Sequence, residues 1–393
     1  MEPIKNDVPI PKGKIKSFVK NRFTDAEDHL SNKYDFRRNV MSLEIEIKKK
    51  DEKSYCPVNE NSIYRELQHL GNSISLANIL AILRSDFVTD FDPIKDYFEN
   101  LVWDEKQHID KLAYYIKAID PDEWKNHFKK HLVRTVKCAM DNDYFNKQAL
   151  IIVHDAQNSG KSTFIRFLCP PELSAYIAED VSTDKDSRIL LVKNFLINLD
   201  ELDKLNKQEI AAVKSFISKN QINERLPFDR KNSVLKRRAS FFGSTNKEEL
   251  LDDPTGSVRW LCFEITSIDW NYKSQIDINQ VWAEAYSLYK TGFKCDLTRE
   301  ELERNEERNK QFQVLSVERQ LIEKHYEPDP EKLLENFKTS TDILNKLMFL
   351  TQLGGRLNVY QIGKALSMLN FPKGKETKDR ITGYYLKQKD NAD

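Results

Sequence analysis

The residues best equipped for chemistry lie between Asp155 and Arg259. Gln157-Asn158-Ser159-Gly160-Lys161-Ser162-Thr163 follows the apolar run Ala149-Leu150-Ile151-Ile152-Val153 and precedes Phe164-Ile165-Arg166-Phe167-Leu168. Strand, small-residue loop and helix in that order form the context of a Walker A match. Loop amides then surround a phosphate at the positive end of the helix. Lys161 carries charge to the β- and γ-phosphates, and Ser162 offers a hydroxyl to Mg²⁺. Residues Gln157 through Thr163 are therefore expected to hold ATP. The glycine that usually opens the motif is replaced by Asp155. Aspartate tolerates left-handed backbone better than most residues, but its charge beside phosphate is unfavourable unless the side chain turns away.

Roughly forty residues downstream, the apolar run Phe195-Leu196-Ile197-Asn198-Leu199 ends in Asp200-Glu201. In a Walker B role, Asp200 holds the Mg²⁺ shell and Glu201 orients and polarises the attacking water; acids at a strand end also serve as helix caps. A third run, Ala239 to Ser244, leads into Thr245-Asn246. Asn246 at such a strand tip can reach the γ-phosphate and the water, the role called sensor 1, with an Asx turn as the competing reading. Arg259 follows the turn Asp253-Pro254-Thr255-Gly256 and opens a fourth run, Trp260 to Ile265. An arginine there can neutralise transition-state charge in a neighbouring subunit, or make a surface salt bridge. Between the second and third runs, Arg225 to Arg238 holds six basic residues in fourteen around a polar turn at Asp229 to Ser233, which reads as a hairpin. These cations, among them Arg225, Arg230 and Lys231, suit phosphate contact. The competing readings are a solvated basic hairpin, or arginines serving the neighbouring nucleotide site, to which Arg237 and Arg238 belong more naturally.

Positioning these residues calls for alternating strands and helices from Gln148 onward. Fully apolar runs suit buried parallel strands, and intervening helices such as Lys207 to Lys219 make an α/β sheet with helices on its faces. Ahead of it, Ser62 to Asp143 reads as helical. There Asp92-Pro93 is a cap and first-turn proline, and Trp124, Phe128, Leu132 and Val136 lie at helical spacing. Lys33 to Val40 and Ser42 to Ile47 alternate like a short hairpin, behind a lysine-rich arm and helix. Glu300 to Lys310 reads as a charged surface helix or linker. From about Pro330, two apolar-periodic helices (around Thr341 to Leu344 and Val359 to Leu366) precede a basic, strand-like end at Lys373 to Lys387; a winged helix is one reading of this tail. The expected domains are 1–145 (arm and helical module), 146–295 (ATPase core), 296–330 (helical linker) and 331–393 (small C-terminal domain).

Composition narrows the class. The chain has 393 residues, with lysine plus arginine and aspartate plus glutamate at 62 each, so any DNA-binding surface is a local patch and not a global field. No apolar run approaches the roughly 20 residues of a membrane span, and the first residues lack the apolar core of a signal peptide; the expectation is a cytoplasmic protein with no membrane partner. The five cysteines stand far apart with no CxxC pair, which favours reduced thiols over a zinc site.

The ordered set Gln157-x-x-Gly160-Lys161-Ser162-Thr163, Leu199-Asp200-Glu201-Leu202-Asp203, Lys214-x-Phe216-Ile217-Ser218, Thr245-Asn246 and Leu251-x-Asp253-Pro254-Thr255-Gly256-x-x-Arg259-Trp260 resembles the virulence-associated E (VirE/VapE-like) family. Upstream, Tyr34-Asp35-Phe36-Arg37-x-Asn39, Ser85-Asp86-Phe87 and Pro93-Ile94-x-Asp96-Tyr97 fit as well, so the likeness covers roughly residues 30 to 290. Two departures stand out: Asp155 in place of glycine, and Val258-Arg259 where members commonly carry two arginines.

Family members are similar to superfamily-three helicases of phages, plasmids and other mobile elements, often beside or fused to a primase. The resemblance implies an AAA+-like P-loop ATPase core using ATP and Mg²⁺, working on DNA in replication as a homo-oligomeric, hexamer-like ring. It places Arg230 and Lys231 at a hairpin tip in the ring channel, and it implies a primase or other replication protein as partner. The alternatives are a regulatory or defence-type DNA-sensing ATPase that does not unwind, and a P-loop kinase.

Overall fold

The computed structural model describes residues 21–179, 185–200, 202, 205–224, 232–246, 258–312, 316–351, 356–375 and 381–389. The chain divides into two compact units, Met1–Asp96 and Tyr97–Asp393.

The first unit contains α1 (Arg22–Lys33), β1 (Tyr34–Asn39), β2 (Glu44–Lys49), β3 (Cys56–Pro57), α2 (Glu60–His69), α3 (Leu76–Leu83) and β4 (Thr89–Phe91). Its sheet has the order β3-β2-β1-β4, with β1 antiparallel to β2 and parallel to β4. The hairpin read from alternating residues is thus present, joined by two shorter strands. Arg37 of the Tyr34–Asn39 motif has a structural role: its guanidinium lies between the rings of Tyr55 (3.8 Å) and Phe91 (3.7 Å) and its Nε donates to Glu46 at 2.6 Å.

Helix α4 (Pro93–Asn100) leads into the second unit, which continues with α5 (His108–Tyr114), β5 (Ile116–Ala118), α6 (Pro121–Met140), β6 (Ala149–Val153), α7 (Lys161–Phe167), β7 (Ile177–Glu179), α8 (Lys185–Lys193), β8 (Leu196–Leu199) and α9 (Lys207–Ile217). Then come β9 (Gln221–Glu224), β10 (Ser233–Lys236), β11 (Ser240–Thr245), β12 (Trp260–Ile268), α10 (Tyr272–Gln275), α11 (Ile278–Lys290) and α12 (Arg299–Asn309). The six-stranded sheet runs β5-β12-β6-β11-β8-β7. Its β12-β6-β11-β8-β7 portion is parallel throughout, and β5 adds an antiparallel edge. All five residues of β6 and all four of β8 are buried, as a strand covered on both faces requires. This is a mixed α/β architecture.

Several helices follow directly from their sequences. Asp120 caps α6 with Pro121 behind it, and Trp124, Phe128, Leu132 and Val136 are all buried. Asn206 and Glu209 form a capping box at the start of α9. Helix α6 and β5 lie in the same compact unit as the sheet, so residues 97–145 belong with it and do not form a separate module. Within the 296–330 stretch expected to be a helical linker, α12 packs against the sheet-bearing part of the unit. Helix α12 seats Lys130 against Glu301 at 2.6 Å, and Asn305 and Asn309 both donate to the Trp260 carbonyl at 3.0 and 2.9 Å. Its charges had suggested a surface helix, yet one face carries the asparagines and Glu301 inward, where each finds a partner.

The chain ends in α13 (Val317–His325), β13 (Tyr326–Pro328), β14 (Phe337–Lys338), α14 (Ser340–Thr351), α15 (Val359–Met368), β15 (Lys373–Lys375) and β16 (Thr382–Gln388). Ile322, Ile343, Leu347, Ile362, Leu366, Tyr384 and Leu386 give this lobe a core of its own. Among the described residues no helix is long and apolar enough to cross a membrane.

Candidate functional site

The parallel strands bring their C-terminal ends to one edge of the sheet, where ligands of open α/β sheets commonly bind. Val153 of β6 pairs with Thr245 of β11 and Glu264 of β12, so the chain leaves β6 between two neighbours at that edge. His154 pins the departing loop. Its Nδ1 accepts from the Ala156 amide at 3.0 Å, which leaves Nε2 to donate to the Thr266 carbonyl at 3.1 Å. Asn158 (φ 57°) and Gly160 (φ 91°) take the left-handed backbone that turns the loop into α7. Gly160 is required twice over, because a Cβ there would stand 2.6 Å from the Trp270 ring. Asp155 is not left-handed. Its side chain is 90% exposed, with the carboxylate 3.5 Å from His154, so the charge turns into solvent and away from the loop interior.

Lys161 is buried within the loop. Its ammonium shares its three protons among four acceptors within reach, the carbonyls of His154 (3.0 Å) and Ala156 (3.1 Å), Ser159 Oγ (2.9 Å) and Asn246 Oδ1 (2.8 Å). One residue along, Ser162 Oγ donates to Asp200 Oδ1 at 2.5 Å, and Ser244 Oγ reaches the same oxygen at 2.6 Å. The second carboxylate oxygen of Asp200 lies 3.4 Å from Arg166 Nη2, and Arg166 also grips Glu179 through Nε (2.8 Å) and Nη2 (3.1 Å). Asn198 donates to Glu179 at 2.7 Å and fixes that end of the network. Together the 157–163 loop, Arg166, Asp200, Ser244, Asn246 and Trp270 line a cleft of about 570 Å³.

Five of the lining or supporting residues, Glu179 among them, are not singled out by the sequence. Arg166 stands four residues after Ser162, one helical turn along the same face, and that spacing was a usable signal. Ser244 adjoins Asn246 but reads as one more strand residue. Nothing in the sequence ties His154 to Thr266 or Trp270 to Gly160, which meet only through the sheet.

Arg259 is placed elsewhere. Trp260 pairs with Ala149 at the start of β6, so Arg259 lies at the strands' N-terminal end, with about 13 Å of strand between it and the cleft edge. Its Nε donates to Ser218 Oγ at 2.7 Å, at the C-terminal end of α9. Arg237 and Arg238 do not serve a nucleotide site. Arg237 is fully buried and donates to the carbonyls of Ile217 (2.6 Å), Asn146 (2.9 Å) and Ala239 (2.8 Å), while Arg238 donates to Ala139 at 2.7 Å. The guanidinium of Arg237 thus caps the carbonyl end of α9, and its value is structural. Strands β9 and β10 pair antiparallel, Glu224 opposite Ser233, and form the base of a hairpin. Its basic residues Arg225, Arg230 and Lys231 lie outside the described residues, as do Glu201 and the Asp253–Gly256 turn.

The family model of the virulence-associated protein E-like domain matches residues 98–314, more than half of the chain, and the chain belongs to that family. Two solved structures of the C-terminal region of NrS-1 are similar in fold. The apo structure of its residues 305–718 aligns with a TM-score of 0.50 at 12% identity, and an A form apo structure of the same region with 0.50 at 13%. Each alignment covers 94% of this chain and 100% of the other. No curated protein matches the chain.

Proposed function

We propose that the protein is an ATP-hydrolysing DNA translocase or helicase, built on an AAA+-like P-loop core, that serves replication of a phage or other mobile element. One observation carries the reading: Ser162 and Ser244 converge on Asp200 while Lys161, one residue from Ser162, reaches Asn246 across the same cleft. A hydroxyl and a carboxylate in contact are hard oxygen donors that fit Mg²⁺ with phosphate and water completing its shell. Among the described residues no group of three or more His, Cys, Asp or Glu is placed to hold a metal, so the donor set favours a cation that arrives with the nucleotide. Bound there, Mg²⁺ would neutralise charge on the β- and γ-phosphates.

The chain's own residues divide the remaining work. Lys161 exchanges its loop carbonyls for phosphate oxygens, and Gln157, Asn158, Ser159, Gly160 and Thr163 line the phosphate cradle. Asn246 positions the attacking water, and Glu201, next after Asp200, is the proposed group that polarises it. Arg259 lies at the opposite end of the strands from its own cleft, which supports action on a neighbouring subunit and hence a ring of identical chains with shared sites. The β9–β10 hairpin would present Arg225, Arg230 and Lys231 to single-stranded DNA in the channel, with a primase or other replication protein as partner.

Purified protein should hydrolyse ATP, do so faster with single-stranded DNA, and grow in size when both are present. Absence of hydrolysis, or hydrolysis indifferent to DNA, removes the reading. Hydrolysis and assembly without strand displacement would favour a DNA-sensing ATPase that does not unwind.

A further inference from the structure

The C-terminal lobe separates its charges along the chain. Between residues 316 and 351 there are seven carboxylates and five lysines or arginines. Between residues 356 and 389 there are eight lysines or arginines, six of them among the described residues (Arg356, Lys364, Lys373, Lys375, Lys387 and Lys389), against two carboxylates, Glu376 and Asp379. Lys387 pairs with Asp329 and Lys389 donates to the Glu323 carbonyl, which places both with the acidic half. Of the other four, Lys364 lies on α15 and Arg356, Lys373 and Lys375 flank it.

Helix α15 buries Ile362, Ala365 and Leu366. Tyr360, Lys364 and Ser367 occupy a separate line at i, i+4 and i+7, and Tyr360 is 72% exposed. That line continues onto the terminal hairpin, because Tyr384 Oη contacts Ser367 Oγ at 2.9 Å and donates to the Gly363 carbonyl at 3.1 Å. In the β15–β16 register Lys373 stands opposite Tyr384 and Lys375 opposite Thr382. Directly paired residues share a face, so both lysines project on the side of the hairpin that meets α15. Gly374 and Gly383, paired between them, turn the other way, where a Cβ on either would strike Tyr385 or Phe337 at 2.6 or 2.4 Å. The hairpin can lie flat on those rings only with glycine at both positions.

Apart from the short β13, which follows α13 and also pairs with β16, the order α13, β14, α14, α15, β15, β16, with β16 between β14 and β15, is that of a winged helix. We propose that this lobe docks double-stranded DNA, with α15 in the major groove and Arg356, Lys373 and Lys375 on the flanking phosphates. A helix about 10–12 Å across fits a groove about 12 Å wide. A convex helix with one exposed tyrosine suits a groove better than the aromatic-lined channel that single strands favour. The site is independent of the nucleotide cleft and stands or falls without it.

The test is fluorescence anisotropy of the full chain, without nucleotide, against a 20-base-pair duplex and a matching single strand across a salt series. Each phosphate contact adds about 0.9 to the slope of log affinity against log salt. The triple variant Arg356→Glu, Lys373→Glu, Lys375→Glu should therefore flatten that slope by about 2.7 and weaken duplex binding at least about tenfold. Tyr360→Ala should weaken duplex binding at every salt concentration and leave the slope unchanged. If the triple variant misfolds by circular dichroism, Lys373→Gln with Lys375→Gln gives the same reading with a slope change of about 1.8. Unchanged duplex affinity in the variants, no duplex binding by the parent, or loss confined to the single strand overturns the proposal. Running the series on Lys161→Ala separates it from the ATPase reading, since duplex binding should persist there.

Discussion

Replacing Glu301 with glutamine removes the charge that holds α12 against α6. Lys130 Nζ lies 2.6 and 2.7 Å from the two Glu301 oxygens, and Asn126 adds a bond at 2.9 Å. Burial by itself would raise the Glu301 pKa, but hydrogen bonds from Lys130, the Thr298 amide and Asn126 outweigh it and hold the group at about 2, against an ordinary 4.5. A shift of that size corresponds to at most about 3.4 kcal/mol. Because the Lys130 side chain keeps 11% exposure, we take about 2 kcal/mol as the loss. The contribution is fully present above about pH 4.5 and disappears as pH falls toward 2, the sign expected of a depressed carboxylate. Hydrogen exchange followed by mass spectrometry at pH 7 reads the local opening of α12. In Glu301→Gln its amides should exchange about 30-fold faster, the equivalent of 2 kcal/mol. Lys130→Met should act similarly, and the double variant should fall well short of the sum. Rates within twofold of the parent in both single variants, or full additivity, would refute the coupling. The consequence reaches function, because α12 also holds the Trp260 carbonyl next to Arg259.

Three further outcomes follow, two from the cleft and one from Arg259. Gly160→Ala should abolish binding of a fluorescent ATP analogue, since its Cβ would sit 2.6 Å from Trp270; adding Trp270→Ala should restore part of it, and failure to rescue would mean that backbone strain alone is responsible. Ser244→Ala removes one of two hydroxyl donors to Asp200 Oδ1 and should lower kcat about tenfold, the equivalent of about 1.4 kcal/mol, with KM little changed; a change confined to KM contradicts the placement. Arg259→Ala should bind ATP and fail to hydrolyse it, and mixing it with Lys161→Ala subunits should recover activity; no recovery in the mixture argues against sharing between subunits.

The buried strands were legible because residues such as Ala149 to Val153 form fully apolar runs, a direct consequence of burial on both faces. The loop before α7 was legible as a turn into a helix because small residues and Gly160 stand between an apolar run and a helical one. Short edge strands were not: β5 and β7 have three residues each, too few to show a period. Arg237 shows a different limit. A basic cluster reads as surface, and only the folded chain reveals carbonyls at the end of α9 that bury a guanidinium. Asp155 looked unsuited to a phosphate loop on charge grounds; left-handed geometry falls instead on Asn158 and Gly160, which frees Asp155 to face solvent.

The central claim is that Lys161, Ser162 and Asp200 form one ATP-hydrolysing site. Release of inorganic phosphate from ATP, with and without Mg²⁺, by the parent protein, Lys161→Ala and Asp200→Asn tests it most directly. The account predicts Mg²⁺-dependent release by the parent and a loss of at least about a hundredfold in each variant. Equal release by all three proteins, or release by the parent that ignores Mg²⁺, would contradict it.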